Sequence, residues 1–193
     1  MAADYEIDCV VAGAGVIGLA VARELALSGR DVLIVEADTA FGRGVSSRSS
    51  EVVHAGMYYA PGSLRAQLCV EGKWLLYDFL KKHDVAHTSC GKLIVACTPE
   101  EVATLEGIME KGAVNGVDDL EMLDARQARA LEPELDCVAA VLSPSTGMMD
   151  SAGLMLAILG EAENAGVTLA TRSPVVGGRV GGRQIEIDIG GSE

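Results

Sequence analysis

The chain has 193 residues, 49% of them hydrophobic and 22% charged, with a formal net charge of −13. That length and composition describe a globular chain able to bury a substantial core in one large domain or two small ones. The negative balance argues against a nucleic-acid partner, because non-specific binding needs Lys and Arg to neutralise phosphates.

The chain opens on a strand pattern, Ile7 to Ala12, followed by Gly13-Ala14-Gly15-Val16-Ile17-Gly18. A helix pattern from Leu19 to Leu27, a Ser28-Gly29-Arg30 turn and a second strand from Asp31 to Glu36 come next. Strand, glycine turn, helix and strand ending in an acid make a dinucleotide-binding unit. Gly13 allows the tight turn, Gly15 lets the backbone approach a pyrophosphate, and Gly18 lets helix and strand pack closely. The pyrophosphate is expected over free N–H groups at the positive end of the helix. Glu36, eighteen residues after Gly18, is placed to accept hydrogen bonds from ribose hydroxyls and to repel a 2′-phosphate. The residues alone leave open a Rossmann-like unit with no nucleotide.

The apolar run from Cys9 to Ala22 is no export signal, since Asp4, Glu6 and Asp8 precede it where positive charge is required. No stretch reaches the roughly 20 uninterrupted apolar residues of a membrane span, which leaves peripheral membrane contact open. Five cysteines, Cys9, Cys69, Cys90, Cys97 and Cys137, form no CxxC pair. They predict a reducing, cytoplasmic setting, no disulfide framework and no metal site.

After Glu36 and Ala37 comes the loop Gly42-Arg43-Gly44-Val45-Ser46-Ser47-Arg48-Ser49-Ser50, rich in backbone and hydroxyl donors beside two guanidinium groups. It reads either as a surface loop or as a second patch of anion and polyol contacts. His54 follows between Val52-Val53 and Ala55-Gly56, with Tyr58 and Tyr59 close behind. A histidine there is either structural or a base.

From Ser63, a helix N-cap, the positions Leu64, Leu68, Leu75, Leu76, Phe79 and Leu80 fit an amphipathic helix. Trp74 and Tyr77 are expected on its buried side. Lys81, Lys82 and His83 complement its C-terminal dipole, and His87 reads as a loop residue. Arg65 and Lys92 read as solvated charges or as partners of a substrate carboxylate. Gly91 to Cys97 is a strand, and Pro99 starts a helix running to about Lys111. Glu121 to Leu123 is a short strand, and Asp124 caps a helix over 125–131. Val138 to Leu142 and Gly147 to Met149 flank a turn, and a helix runs from about Ser151 to Ala165. The end is β-rich: Val167 to Ala170, Pro174 to Val180, a Gly181-Gly182 turn and Gln184 to Ile189, a hairpin signal.

These elements give an α/β fold: a Rossmann-like domain over 1–61 and 149–193, with an α+β substrate domain inserted over 62–148. A parallel sheet of only three strands is thin for this fold, so the chain is expected to be the N-terminal part of a longer protein.

The unit from Ile7 to Glu36, the segment from Gly42 to Tyr59, Pro61-Gly62-Ser63-Leu64 and Gly91 to Ala96 together resemble the D-amino-acid-oxidase family of FAD-dependent oxidoreductases. Within it the likeness is to L-2-hydroxyglutarate oxidases and dehydrogenases. The likeness extends to Pro144 to Asp150 and to Val175. Ser49 departs from it, standing where those members lead one to expect asparagine.

The resemblance implies FAD in extended form, its pyrophosphate on Gly13, Ala14, Gly15, Val16, Ile17 and Gly18 and its ribose on Glu36 and Ala37. Val175 would bring its backbone to the adenine. Arg43, Gly44, Ser46 and Ser47 would line the pyrophosphate and ribityl region, with His54, Ala55 and Gly56 near the isoalloxazine. It also implies oxidation of a 2-hydroxy acid such as L-2-hydroxyglutarate by hydride transfer to flavin N5, with His54 as base and Tyr58 or Tyr59 orienting the substrate. Oxygen or a quinone would be the electron acceptor. An amine or amino-acid substrate, such as glycine, sarcosine or a D-amino acid, and a non-catalytic binding module are the alternatives. NAD in place of FAD is disfavoured by the Ser/Arg loop.

Overall fold

The computed structural model describes residues 5–182 and 184–190. Arg183, beside the expected Gly181-Gly182 turn, and residues 191–193 of the expected last segment lie outside the described residues. In chain order the elements are β1 (Cys9–Ala12), α1 (Val16–Leu27), β2 (Val32–Val35), β3 (Val52–Val53), α2 (Leu64–Lys82), β4 (His87–Thr88), β5 (Lys92–Ala96) and α3 (Val102–Val114). They continue with β6 (Glu121–Asp124), α4 (Ala125–Leu131), β7 (Ala139–Ser143), β8 (Gly147–Met149), α5 (Ser151–Asn164), β9 (Thr168–Ala170), β10 (Val175–Gly181) and β11 (Gln184–Ile189). Single 3₁₀ turns cover Val45–Arg48 and Pro99–Glu101. Among the described residues no helix is long and apolar enough to cross a membrane.

The chain divides into two compact units, residues 1–50 with 151–193 and residues 51–150. In the first, β2 lies between β1 and β9 in a parallel sheet, with Cys9 opposite Val32 and Leu33 opposite Thr168. A central parallel strand is covered on both faces and so tolerates a continuous apolar run. Val32, Ile34 and Val35 are all buried accordingly. Helix α1 makes the crossover from β1 to β2. It buries Leu19, Ala22 and Ala26 and packs on α5, which buries Leu154, Met155, Ile158, Leu159 and Ala162. Arg23 of α1 pairs with Glu161 of α5. The antiparallel hairpin β10–β11 completes the unit.

In the second unit β7 is the centre of an antiparallel sheet with β5 and β6 at its edges. Its side chains alternate between two cores, as strand geometry requires. Ala139 and Val141 join Ala96 and Leu105 beneath α3, and Ala140 joins Leu123, Ala128 and Cys137 beneath α4. A smaller sheet has β8 between β3 and β4. Asp124 and Gln127 form a reciprocal capping box at the start of α4.

Three expectations need correction. The first boundary between units falls after Ser50, not at residue 61, because Val52 and Val53 pair with Met148 and Gly147 of β8. His87 is no loop residue: it pairs with Met149 in the same sheet. On α2 the expected buried face holds only in its last turns, where Leu80 is buried and Leu76, Tyr77 and Phe79 are half-buried. Leu64, Leu68, Leu75 and Trp74 are exposed, and the buried residues are Ala66, Lys73 and Leu80. These three stand seven apart, close to two helical turns, so they form one stripe. Lys73 can occupy that stripe because Ser145 Oγ lies 2.6 Å from its Nζ.

Candidate functional site

The glycine turn has the geometry that its spacing predicts. Gly13 has φ of 98°, a left-handed conformation that other residues adopt with strain. A Cβ on Gly18 would lie 2.0 Å from the Gly13 carbonyl oxygen, so α1 can approach the turn only through a glycine. Gly15 is the N-cap of α1 and has no side chain to offer. Ser46 supplies the missing acceptor, taking the Val16 N–H at 3.0 Å. A Cβ on Gly15 would meet that Ser46 Oγ at 3.1 Å, which ties the Ser/Arg loop to the turn. The N–H groups of Gly15 and Ile17 find no acceptor among the described residues, and they stand at the positive end of the helix.

Glu36 is held by the same turn. Its Oε2 accepts from the Ala14 N–H at 2.7 Å and its Oε1 from the Asp38 N–H at 2.9 Å. Each carboxylate oxygen has two lone pairs, so both remain able to accept from a further donor. The Glu36 backbone is tied to the segment that leads to Val175: Glu36 N–H donates to Ala170 O, and Ser173 N–H donates to Glu36 O, both at 2.8 Å. Arg43 Nε sits 3.2 Å from Asp38 Oδ1. The Thr39 N–H and that guanidinium both hold the Asp38 carboxyl below its ordinary range.

Gly15, Glu36, Ala37, Arg43, Gly44 and Ser46, all expected from the sequence, line one cavity of about 540 Å³. Asp38, Thr39, Gly42 and Val45 line it as well and were not singled out. The Gly42 N–H donates to Ala14 O at 2.9 Å, a tie between loop and turn that no local pattern displays. Ser47 does not line the cavity: its hydroxyl donates to Arg43 O and Gly44 O and steadies the loop from within.

Val175 opens β10 in the first unit, exposed and outside that cavity, whereas His54, Ala55, Gly56, Tyr58 and Tyr59 belong to the second unit. His54 and Tyr58 are exposed, and the three residues between them are buried, Ala55 and Met57 against Val117. Gly56 has φ of 104°, and a Cβ there would come 2.7 Å from Val70 Cγ2, so this bend requires glycine. Asn115, at the end of α3, fixes the loop by donating through Nδ2 to Gly56 O at 3.1 Å and Tyr59 O at 3.0 Å. A lone polar residue at a helix end gave no sequence signal for that role. The Cys69 thiol donates to His54 O at 3.5 Å.

Lys92 Nζ lies over the Tyr58 ring and the Arg65 guanidinium over the Tyr59 ring, each 4.6 Å from the centroid. Partial burial, then the charges of Lys92 and Arg65, push the His54 imidazole below its ordinary pKa. His54 is therefore neutral at neutral pH, the form able to accept a proton.

The residues of the first unit fit a flavin dinucleotide: free amides at a helix N-terminus, a glycine turn with no room for a Cβ at Gly18, and an acid with spare lone pairs beside a cavity.

A family model described as FAD dependent oxidoreductase matches residues 8–192. The chain is 44% identical over 196 residues to the mitochondrial L-2-hydroxyglutarate dehydrogenase of Arabidopsis thaliana, taking in 92% of this chain and 41% of that protein. It is 34% identical to the Homo sapiens protein of the same name, over 88% of this chain and 37% of that one. A solved structure, dithionite-reduced L-alpha-glycerophosphate oxidase from Mycoplasma pneumoniae with FAD bound, matches with a TM-score of 0.84 at 26% identity. That match covers 89% of this chain and 46% of the other. Glycine oxidase from Geobacillus kaustophilus shares the fold, with a TM-score of 0.84 at 24% identity over 95% of this chain and 51% of that one. The chain thus spans about half or less of the length of these relatives.

Proposed function

The chain belongs to the family of FAD-dependent oxidoreductases, and from that membership we propose that the protein it forms part of oxidises L-2-hydroxyglutarate or a closely similar 2-hydroxy acid. The observation that carries this reading is the 44% identity, over 92% of the chain, to a protein named L-2-hydroxyglutarate dehydrogenase.

In this proposal Gly15 and Ile17 give their N–H groups to the cofactor pyrophosphate, and Glu36 accepts from the adenosine ribose beside Ala37. Ser46 and Arg43 line the same cavity as donors. Val175 would hold the adenine through its backbone, and His54, Ala55 and Gly56 would hold the isoalloxazine. FAD held there would supply a two-electron oxidant able to take a hydride from the carbon that carries the hydroxyl. His54 takes the hydroxyl proton on a ring nitrogen, for which its lowered pKa keeps it unprotonated. Tyr58 and Tyr59 orient the substrate from positions fixed by Lys92, Arg65 and Asn115. Oxygen or a quinone takes the electrons onward. For the compartment we propose a reducing one, in keeping with the five free cysteines.

The test is an absorption spectrum of the full-length protein from about 300 to 550 nm, repeated anaerobically with L-2-hydroxyglutarate, since reduction of a bound flavin removes its visible bands. Bleaching supports the proposal. Flavin that stays oxidised with L-2-hydroxyglutarate and bleaches with an amino acid overturns the substrate, and a protein that neither carries nor takes up FAD overturns the whole reading.

A further inference from the structure

The chain carries 28 acidic residues against 15 Lys and Arg, and four of its arginines meet carboxylates. Arg23 meets Glu24 and Glu161, Arg43 meets Asp38, Arg129 meets Asp136 and Arg179 meets Glu186. Arg65 and Lys92 do not. Among the described residues no carboxylate lies within ion-pair distance of either, and each instead rests on a tyrosine face at 4.6 Å. A ring face orients a cation without cancelling its formal charge.

Arg65 is also in the wrong place for helix stability. It is the second residue of α2, beside the Ser63 N-cap, where the helix dipole favours an acid and opposes a cation. Lys92 opens β5 directly after Gly91, whose φ is 76°. Both charges bear on His54, so two positive charges with no carboxylate partner act on one histidine in an acidic protein. Such a cluster is costly unless an anion completes it.

We propose that Arg65 and Lys92 form a dianion-reading pair, one cation for each carboxylate of a dicarboxylic 2-hydroxy acid, and that they set the preference of the protein for dicarboxylic over monocarboxylic substrates. The proposal deepens the 2-hydroxy-acid reading and rests on it for the identity of the reaction. Tyr58 and Tyr59 hold the two cations in register, and Asn115 holds Tyr59 through its carbonyl. Loss of either cation leaves one carboxylate without its charge-assisted hydrogen bond.

The test uses the full-length protein with Arg65→Gln and Lys92→Gln, and Lys111→Gln on the exposed side of α3 as a control with the same change in net charge. Two measurements are made: the ratio of kcat/KM for L-2-hydroxyglutarate to that for L-2-hydroxybutyrate, and calorimetric affinity for glutarate against butyrate. Each of the two variants should lower the kcat/KM ratio and the glutarate affinity by roughly ten- to a hundredfold, the range for a lost hydrogen bond to a charged group. Lys111→Gln should leave both within about twofold, as expected of an exposed charge screened by salt. Unchanged ratios, equal losses on both acids, or a matching loss in Lys111→Gln overturn the pair and leave the proposed 2-hydroxy-acid oxidation standing. If glutarate binds and the two variants lose it while no 2-hydroxy acid reduces the flavin, the pair stands and the reaction assigned to the protein falls.

Discussion

Gly18→Ala and Gly160→Ala are the same chemical change in two helices that pack on each other, and the structure assigns them opposite signs. At Gly18 the new Cβ would stand 2.0 Å from the Gly13 carbonyl oxygen and 3.1 Å from its carbon. Both are backbone atoms, with no flexible side-chain end to swing away. A carbon meets a carbonyl oxygen comfortably at about 3.3 Å, so α1 must withdraw from the turn by more than about 1 Å. Overpacking of that kind costs roughly 1–3 kcal/mol and occasionally more. Alanine returns about 0.8–1 kcal/mol of helix propensity, which leaves a net loss of up to about 2 kcal/mol at the ordinary cost of overpacking and more if the backbone resists. At Gly160 nothing lies within 4 Å of the added methyl, so only the propensity gain of about 1 kcal/mol remains. Urea denaturation of the full-length protein should separate the two midpoints in opposite directions. Flavin content should fall in Gly18→Ala alone, since a retreating helix carries the Gly15 and Ile17 amides with it. Equal stabilisation of both variants, with full flavin content, would refute the close-packing role given to Gly18.

Asn115→Ala should cost about 2–4 kcal/mol, because it removes two hydrogen bonds and strands the Gly56 and Tyr59 carbonyls; a loss under about 0.5 kcal/mol by denaturant titration would remove Asn115 from the account of the loop. The Lys73→Met/Ser145→Ala double variant should be more stable than the sum of the single changes predicts, by a coupling of about 1–2 kcal/mol across the 2.6 Å contact. The kcat/KM profile should fall on the acid side with an apparent pKa below the 6.5 of an unperturbed histidine, because protonated His54 cannot accept the hydroxyl proton. Lys92→Gln should move that limb upward by removing one of the charges that hold it down, and a limb indifferent to Lys92 would detach His54 from the reaction.

The first unit was legible because its chemistry is written in adjacent residues. A glycine turn needs particular backbone angles at Gly13 and a missing Cβ at Gly18, and those needs fix residue types at fixed spacing. Glu36 closes the second strand, and its partners Ala14 and Asp38 lie in segments already marked as turn and loop. The additional role of Ser46 was not legible. Its hydroxyl caps a helix that begins thirty residues earlier, and nothing in the Ser/Arg loop says which of its serines turns inward, as Ser47 does, and which turns toward the helix.

The second unit resisted reading for the same physical reason, sharpened at α2. Leucines at 64, 68 and 75 obey helical spacing and ought to mark the core, yet they are exposed. Periodicity measures which residues share a face; it cannot tell which of two faces a neighbour covers when both carry apolar groups. Here the decision is made by partners far along the chain. Lys73 reaches Ser145, and Tyr77 donates to the Ser145 carbonyl at 3.2 Å. Ser145 N–H in turn donates to Asp119 Oδ2 at 3.0 Å. Gly147 leaves room for this arrangement, because a Cβ there would strike both Thr88 O and Tyr77 Oη at 2.2 Å. A buried lysine is tolerated only where such a polar cluster receives it, and once received it fixes the rotation of α2 about its axis. That rotation decides which way Arg65, at the first turn of the same helix, presents its guanidinium to Tyr59. The proposed Arg65–Lys92 pair would therefore depend on a lysine whose own hydrogen bond goes to Ser145. If Lys73→Met leaves stability within about 1 kcal/mol, as replacement of a buried charge by an apolar side chain of similar volume often does, while glutarate affinity falls, the coupling through α2 is established; affinity that survives the change would confine the role of Lys73 to packing.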